Sequence, residues 1–300
     1  MSESQDKAAL LDEERGMGEG AKEPYLAYGD ERPGNHNEAV RRQSGFGTNW
    51  IGLYTMFRRE VQRTLRVVVQ TLLAPVISAA LYLFIFGTVI GTKIDDFAGV
   101  PYISFVFPGI LMLSIVNASF ASASSNLYFM RFTRGIEEML IAPFSYFEML
   151  VGFVGSAIVR SLMVAFLILA VGMLFGAVSL VNPLAFVFYI SAISAIFAML
   201  GIIVALWAEG FEQLTVINTF VITPLTYLGG VFYSVTFLPP LAATITYLNP
   251  FFYFASGVRA SMIGYSEANT FVGIVIILVL VVGLGALLTH LFKIGWKIRS

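Results

Sequence analysis

Residues 213–258 contain no Asp, Glu, Lys or Arg. A bilayer core of roughly 30 Å takes about 20 helical residues, so this run is one membrane crossing plus a second apolar piece. It cannot be a single helix, because Gly229-Gly230, Leu238-Pro239-Pro240 and Asn249-Pro250 interrupt it, and a proline inside a helix removes a donor and clashes with the preceding turn. Non-helical backbone at membrane depth persists only where protein or a water-filled cavity satisfies its polar groups. The combination points to a transport machine rather than a plain anchor.

The rest of the chain fits that reading. With 57% hydrophobic and 12% charged residues, it is expected to be an all-α integral membrane protein rather than a globular domain. Its charge is segregated: ten of the 19 acidic residues precede Val40, against Lys7, Arg15, Lys22 and Arg32. Residues 1–47 therefore read as an acidic tail too poor in apolar side chains to fold alone, and without the basic and apolar regions of a signal peptide. The chain has no cysteine, which excludes disulfide and thiol chemistry.

Charge-free runs predict six crossings within residues 67–300. They fall at 67–90, within 100–130, on either side of a break at Asn182-Pro183, at about 214–233 and at about 269–292. An even number puts both termini on one side. Nine basic residues (Arg58, Arg59, Arg63, Arg66, Arg131, Arg134, Lys293, Lys297, Arg299) flank that side, against Lys93 and Arg259 on the other. The excess assigns both termini to the cytoplasm. Over residues 48–66, Tyr54, Phe57, Val61 and Leu65 recur at helical spacing beside an arginine-bearing face. Such a helix either lies flat at the cytoplasmic interface or extends the first crossing inward.

Four groups of residues are candidates for function. After the second crossing, Arg131, Arg134, Glu137 and Glu138 surround a short apolar face ending at Pro143; this is either a solvated turn on the headgroups or a docking helix offering its acids to a soluble partner. Asn117 and Asn126 belong to the polar side of the second crossing. Arg160 is the one ionisable residue placed well inside a predicted crossing, about 16 Å beyond Met149 at 1.5 Å per residue. An isolated charge there costs several kcal/mol, so it should face protein or water, as a substrate contact or as a donor to neighbouring carbonyls. Gly229, Gly230, Tyr233, Pro239, Pro240, Asn249 and Pro250 mark either close helix packing or a re-entrant hairpin of residues 235–254 entering from outside. No catalytic set is present. The two histidines, His36 and His290, supply neither a paired metal site nor a hydrolase triad. The string from Gly87 to Lys93 lacks the spacing of a phosphate loop, and no acidic proton relay or inverted repeat is evident.

The residues Thr223-Pro224-Leu225-Thr226-Tyr227-Leu228-Gly229-Gly230-Val231-Phe232-Tyr233-Ser234, followed by Leu238-Pro239-Pro240, Leu248-Asn249-Pro250 and Ser256-Gly257-Val258-Arg259, resemble the signature of ABC-2 type permeases. The resemblance extends from Trp50 to the C-terminus and takes in Arg134, Ile136-Glu137-Glu138, Ala142-Pro143, Gly152, Val154-Gly155 and Arg160. It implies a half-transporter of the bacterial cytoplasmic (inner) membrane that pairs with a second copy of itself and with a separate cytoplasmic ATPase. ATP and Mg would bind on that partner, and this chain would hold no cofactor, metal or nucleic acid. The resemblance maps the ATPase-coupling helix to Arg131 through Leu140 and makes the segment 235–254 re-entrant. The expected function is ATP-driven export of a hydrophobic or amphipathic, drug- or lipid-like molecule. A polysaccharide or lipid-linked glycan is the alternative cargo, and an ATP-independent channel or scaffold a remote alternative. Membrane lipids are the remaining expected partner.

Overall fold

Proline, glycine and asparagine punctuate the apolar chain, and the helices begin and end where they stand. In the computed structural model, the described residues are 54–55, 57–58, 61–62, 68–91, 99–133, 135 and 146–297. The regular structure among them is helical: α1 (Val68–Leu83), α2 (Tyr102–Phe132), α3 (Tyr146–Leu174), α4 (Pro183–Trp207), α5 (Phe211–Ile217), α6 (Thr223–Tyr227), α7 (Pro240–Leu248), α8 (Pro250–Ile263) and α9 (Thr270–Ile294). Three asparagines start helices. The Asn182 side chain accepts from Ala185 N ahead of Pro183, Asn249 from Phe251 N ahead of Pro250, and Asn269 from Phe271 N and Val272 N. Each satisfies donors that the first turn leaves without partners, and proline at the first helical position loses no needed bond.

Four of these helices, α2, α3, α4 and α9, are long and apolar enough to cross a membrane. The first and fifth predicted crossings are shorter as regular α-helix because each passes into a π-helical stretch, Phe84–Ile90 after α1 and Asn218–Ile222 between α5 and α6. Pro224 gives a reason for the second: it has no N–H for the Phe220 carbonyl, and the preceding turn widens. Boundaries move in three places. The second helix runs on through Phe132, so Arg131 belongs to it and not to the following loop. The fifth segment stops at Tyr227, leaving Gly229 and Gly230 in a turn. The helix after Asn249 continues to Ile263, beyond the predicted hairpin limit at 254.

α2 is the central element. It packs on α4, α3, α8 and α1, and 83% of its most apolar window is buried, against 17% for α9. Glycine makes the tightest crossings possible. A β-carbon on Gly201 of α4 would stand 2.7 Å from the Phe120 carbonyl oxygen of α2, and one on Gly109 of α2 would stand 2.5 Å from the Val231 carbonyl oxygen. Of the predicted interfacial helix, the described residues 54–55, 57–58 and 61–62 are helical. The Phe57 ring lies 3.6 Å from where a β-carbon of Gly155 in α3 would stand.

Candidate functional site

Five of the eight serines and asparagines of α2 gather on one side, while Ser104, Ser119 and Ser124 are buried away from it. Ser114, Asn117, Ser122, Ser125 and Asn126 share one wall of a cavity of about 980 Å³. Ala74, Pro75, Ser78 and Tyr82 of α1 face it, with Arg160 of α3, Phe211 of α5 and Tyr227 of α6. All three residues expected on the pathway, Asn117, Asn126 and Arg160, thus meet in one place. Arg160 is half-buried and donates from Nη1 to Ser122 Oγ at 2.9 Å. Among the described residues that line the cavity, its guanidinium is the one formal charge.

The cavity's polar wall is tied to α5 by an amide pair that the sequence reading did not single out. Asn117 Nδ2 donates to Leu113 O at 2.9 Å, and Asn117 Oδ1 accepts from Asn218 Nδ2 at 3.1 Å. Asn218 opens the π-helical stretch, where its own carbonyl accepts from Thr223 Oγ1 at 2.9 Å. Its buried Oδ1 has no hydrogen-bond partner among the described residues. A lone amide in an apolar segment was the available signal. Beyond Tyr82 and Tyr227 the cavity ends in rings: Phe86 stacks on Phe232 with centroids 4.7 Å apart, and Tyr82 and Tyr227 lie 5.9 and 5.7 Å from Phe232.

The Gly-Gly turn and the hairpin form a second constellation. Gly230 adopts φ +76, a left-handed conformation that glycine enters without the strain a side chain brings. A β-carbon on Gly229 would stand 2.8 Å from Cβ of Phe251. Half-buried Tyr233 ends this turn. Pro239 and Pro240 set the start of α7, and Asn249-Pro250 the start of α8. The Asn249 Nδ2 group donates back to Leu225 O of α6 at 2.7 Å, so one side chain caps α8 and fastens it to the fifth segment.

Behind this turn sits Arg259, read from the sequence as one of two basic residues on the outer side and as the last residue of the signature string Ser256-Gly257-Val258-Arg259. It is 1% exposed. Its Nη2 donates to Gly230 O at 2.8 Å, its Nε to Phe105 O at 3.3 Å, and its Nη1 pairs with Glu267 Oε2 at 3.4 Å. Its guanidinium carbon stands 3.9 Å from the Phe105 ring centroid. One side chain therefore joins the start of α2, the Gly-Gly turn, α8 and the α8–α9 loop. The sequence signal was a glutamate eight residues after an arginine in an otherwise apolar run.

At the other end of α2, Arg131 Nη1 donates to the carbonyls of Ala205, Leu206 and Ala208. A cation on the last carbonyls of α4 satisfies acceptors that no helical N–H reaches and complements the helix dipole. Lys297 closes the same end, pairing with Glu209 at 3.2 Å and donating to Trp207 O at 3.3 Å. Of the residues expected to couple to an ATPase, Arg131 is thus engaged within the helical array, and Arg134, Glu137 and Glu138 lie outside the described residues.

Comparison with known proteins agrees with this architecture. Residues 52–263 match the family model described as ABC-2 type transporter. The chain is 35% identical over 252 residues to the inner membrane transport permease YadH of Escherichia coli K12, covering 84% of this chain and 98% of that protein. It is 27% identical over 221 residues to nodulation protein J of Neorhizobium galegae, covering 72% and 82% of the two chains. A family match over most of the chain, together with a relative matched nearly end to end, establishes that this chain belongs to the ABC-2 type transporter family.

Proposed function

We propose that the chain is the membrane subunit of an ATP-driven exporter, in which two copies build the pathway and a separate cytoplasmic ATPase hydrolyses ATP. Family membership and the helices of crossing length make it a multi-pass membrane protein, and the relative named as an inner membrane permease places it in that membrane. The observation that carries the functional reading is the cavity of about 980 Å³ along the polar stripe of α2. A helix this buried has no folding reason to place five hydrogen-bonding side chains on one wall, whereas a pathway needs that wall wetted while the others stay apolar. Leu113 and Phe129 of α2 itself, with Tyr82 of α1 and Phe211 of α5, add apolar surface to the lining, which suits a hydrophobic or amphipathic cargo better than a fully hydrated one.

In this reading the first and fifth segments complete six crossings, and the excess of basic residues keeps both termini in the cytoplasm. The α7–α8 hairpin, with Gly229, Gly230, Tyr233, Pro239, Pro240, Asn249 and Pro250 at its joints, re-enters from outside and gates the exit. ATP binding drives the change of access only through contacts that the ATPase makes differently in the two states, and Glu137 and Glu138 are the groups that meet it. The direct experiment reconstitutes the chain with its ATPase in vesicles and measures ATP hydrolysis against cargo class. Stimulation by lipid-like amphiphiles is expected; stimulation only by glycans favours the alternative cargo, and no coupling of any kind overturns the exporter reading. Reversing both acids (E137K/E138K) is expected to abolish co-purification with the ATPase and coupled hydrolysis. Unchanged co-purification and hydrolysis would remove these two residues from the docking surface.

A further inference from the structure

α9 turns most of its surface away from the other helices, yet its C-terminal half and the first turn of α3 enclose a cleft of about 660 Å³. Phe147 of α3 and Val281, Val282 and Gly285 of α9 form its apolar walls, and His290 and Lys293 stand at its far end. The hydroxyl of Thr289, also on the cleft, is taken by the Gly285 carbonyl at 2.8 Å, which leaves polar recognition to the two basic side chains. Both are exposed, and among the described residues no carboxylate lines the cleft. Lys293 has no hydrogen-bond or ion-pair partner among the described residues, whereas its neighbour Lys297 is engaged by Glu209 and the Trp207 carbonyl.

The dimensions select the occupant. From Val281 to Lys293 the helix rises about 18 Å at 1.5 Å per residue, close to the roughly 15 Å that one leaflet contributes to a hydrocarbon core. A greasy cleft one leaflet deep, basic at the end where headgroups lie, matches a phospholipid with negative charge. Basic pockets between crossings at the cytoplasmic side are suited to such headgroups. We propose that this cleft holds an anionic phospholipid of the inner leaflet, with its phosphate on Lys293 and His290 and one acyl chain beside Val281, Val282 and Gly285. The orientation, though not the chemistry, rests on the reading that this end of α9 is cytoplasmic.

Trp296, three residues beyond Lys293, serves as a reporter. The full chain carrying W50F and W207F is reconstituted in phosphatidylcholine bilayers containing either brominated phosphatidylglycerol or brominated phosphatidylcholine at equal mole fraction, and quenching of Trp296 is compared. Stronger quenching by the anionic lipid is expected. Its selectivity should fall about fivefold in K293Q, the factor one lysine carries near an anionic surface, and by a smaller factor in H290Q, which removes a hydrogen-bonding imidazole. G285L keeps both charges but fills the cleft, and should reduce quenching by the anionic lipid. Soluble glycerol phosphate should not relieve the quenching; relief would assign the site to free phosphate and overturn the lipid proposal. Equal quenching by the two lipids also overturns it, whether because the cleft has no preference or because a second copy or another segment covers it. Labelling of K293C by an impermeant maleimide tests the orientation separately: reaction from outside refutes the cytoplasmic assignment and leaves lipid selectivity to be judged by its own result.

Discussion

Arg160 and Arg259 both carry a guanidinium into the helical array, and their surroundings differ in kind. Arg259 is 1% exposed and meets two backbone carbonyls, a carboxylate and an aromatic face. Arg160 is half-buried at the wall of a large cavity, where its Nη1 donates to the Ser122 hydroxyl. A buried charge must have its donors met by the protein, and the groups that meet them are held in turn. A charge at a cavity wall keeps access to water or cargo. The first arrangement ties the Gly-Gly turn to α2 and α8, and the second places a guanidinium on the cavity that α1, α2 and α3 line.

The largest effect should come from dismantling the buried node. In R259M the Glu267 carboxylate keeps its burial but loses its counter-charge, and breaking such a pair costs about 3–5 kcal/mol. Thermal unfolding of the purified protein should show that loss, and R259M/E267L should recover much of it, because the orphaned charge and not the missing pair dominates. A melting curve for R259M matching the parent would break the comparison at its stronger member. A smaller loss should follow in G109A. The added methyl meets the Val231 carbonyl oxygen at 2.5 Å, a backbone atom that cannot swing aside as a side chain could, and overpacking of this kind costs about 1–3 kcal/mol. G283A is the control, since nothing lies within 4 Å of its new β-carbon; it should be neutral or stabilising by roughly 0.5–1 kcal/mol.

A smaller loss of stability than in R259M is expected for R160Q, because a half-buried guanidinium at a cavity wall leaves less desolvated charge behind when it is removed. Its cost should appear in function instead, as a fall of about tenfold in cargo-stimulated ATP hydrolysis, the size of one charge-assisted hydrogen bond to bound cargo. If R160Q unfolds as readily as R259M while its residual stimulation is normal, the two arginines are equivalent supports and the division between them fails.

Much of this was legible in the residues themselves. The breaks read at Asn182-Pro183 and Asn249-Pro250, and the crossing start read at about 269, coincide with asparagine caps, because capping is local chemistry, decided within three residues of the asparagine. The same holds for the turn at Gly229-Gly230, whose second glycine takes the left-handed conformation. Lengths were less legible where a proline acts upstream. The fifth segment ends at Tyr227 after a π-helical stretch, and the rise of a span gives no warning of it. Asn117, Asn126 and Arg160 were chosen as polar residues in apolar surroundings, and the cavity gathers all three. Arg131 shows the reverse: its position suggested a loop facing a partner, while its guanidinium sits on the end of α4, 74 residues on.

Composition, charge placement and punctuation thus determined that this chain is a helical membrane protein, where its helices start, and which polar residues lie against the apolar background. These are properties of short windows, set by transfer of side chains from water and by local hydrogen bonding. Tertiary structure alone decided what each polar group faces. The Asn117–Asn218 pair spans 101 residues, the Arg259 bond to Phe105 spans 154, and that to Gly230 spans 29. A helix shows all its faces to the sequence equally, and only packing against neighbours selects which one borders a cavity, a buried ion pair or lipid.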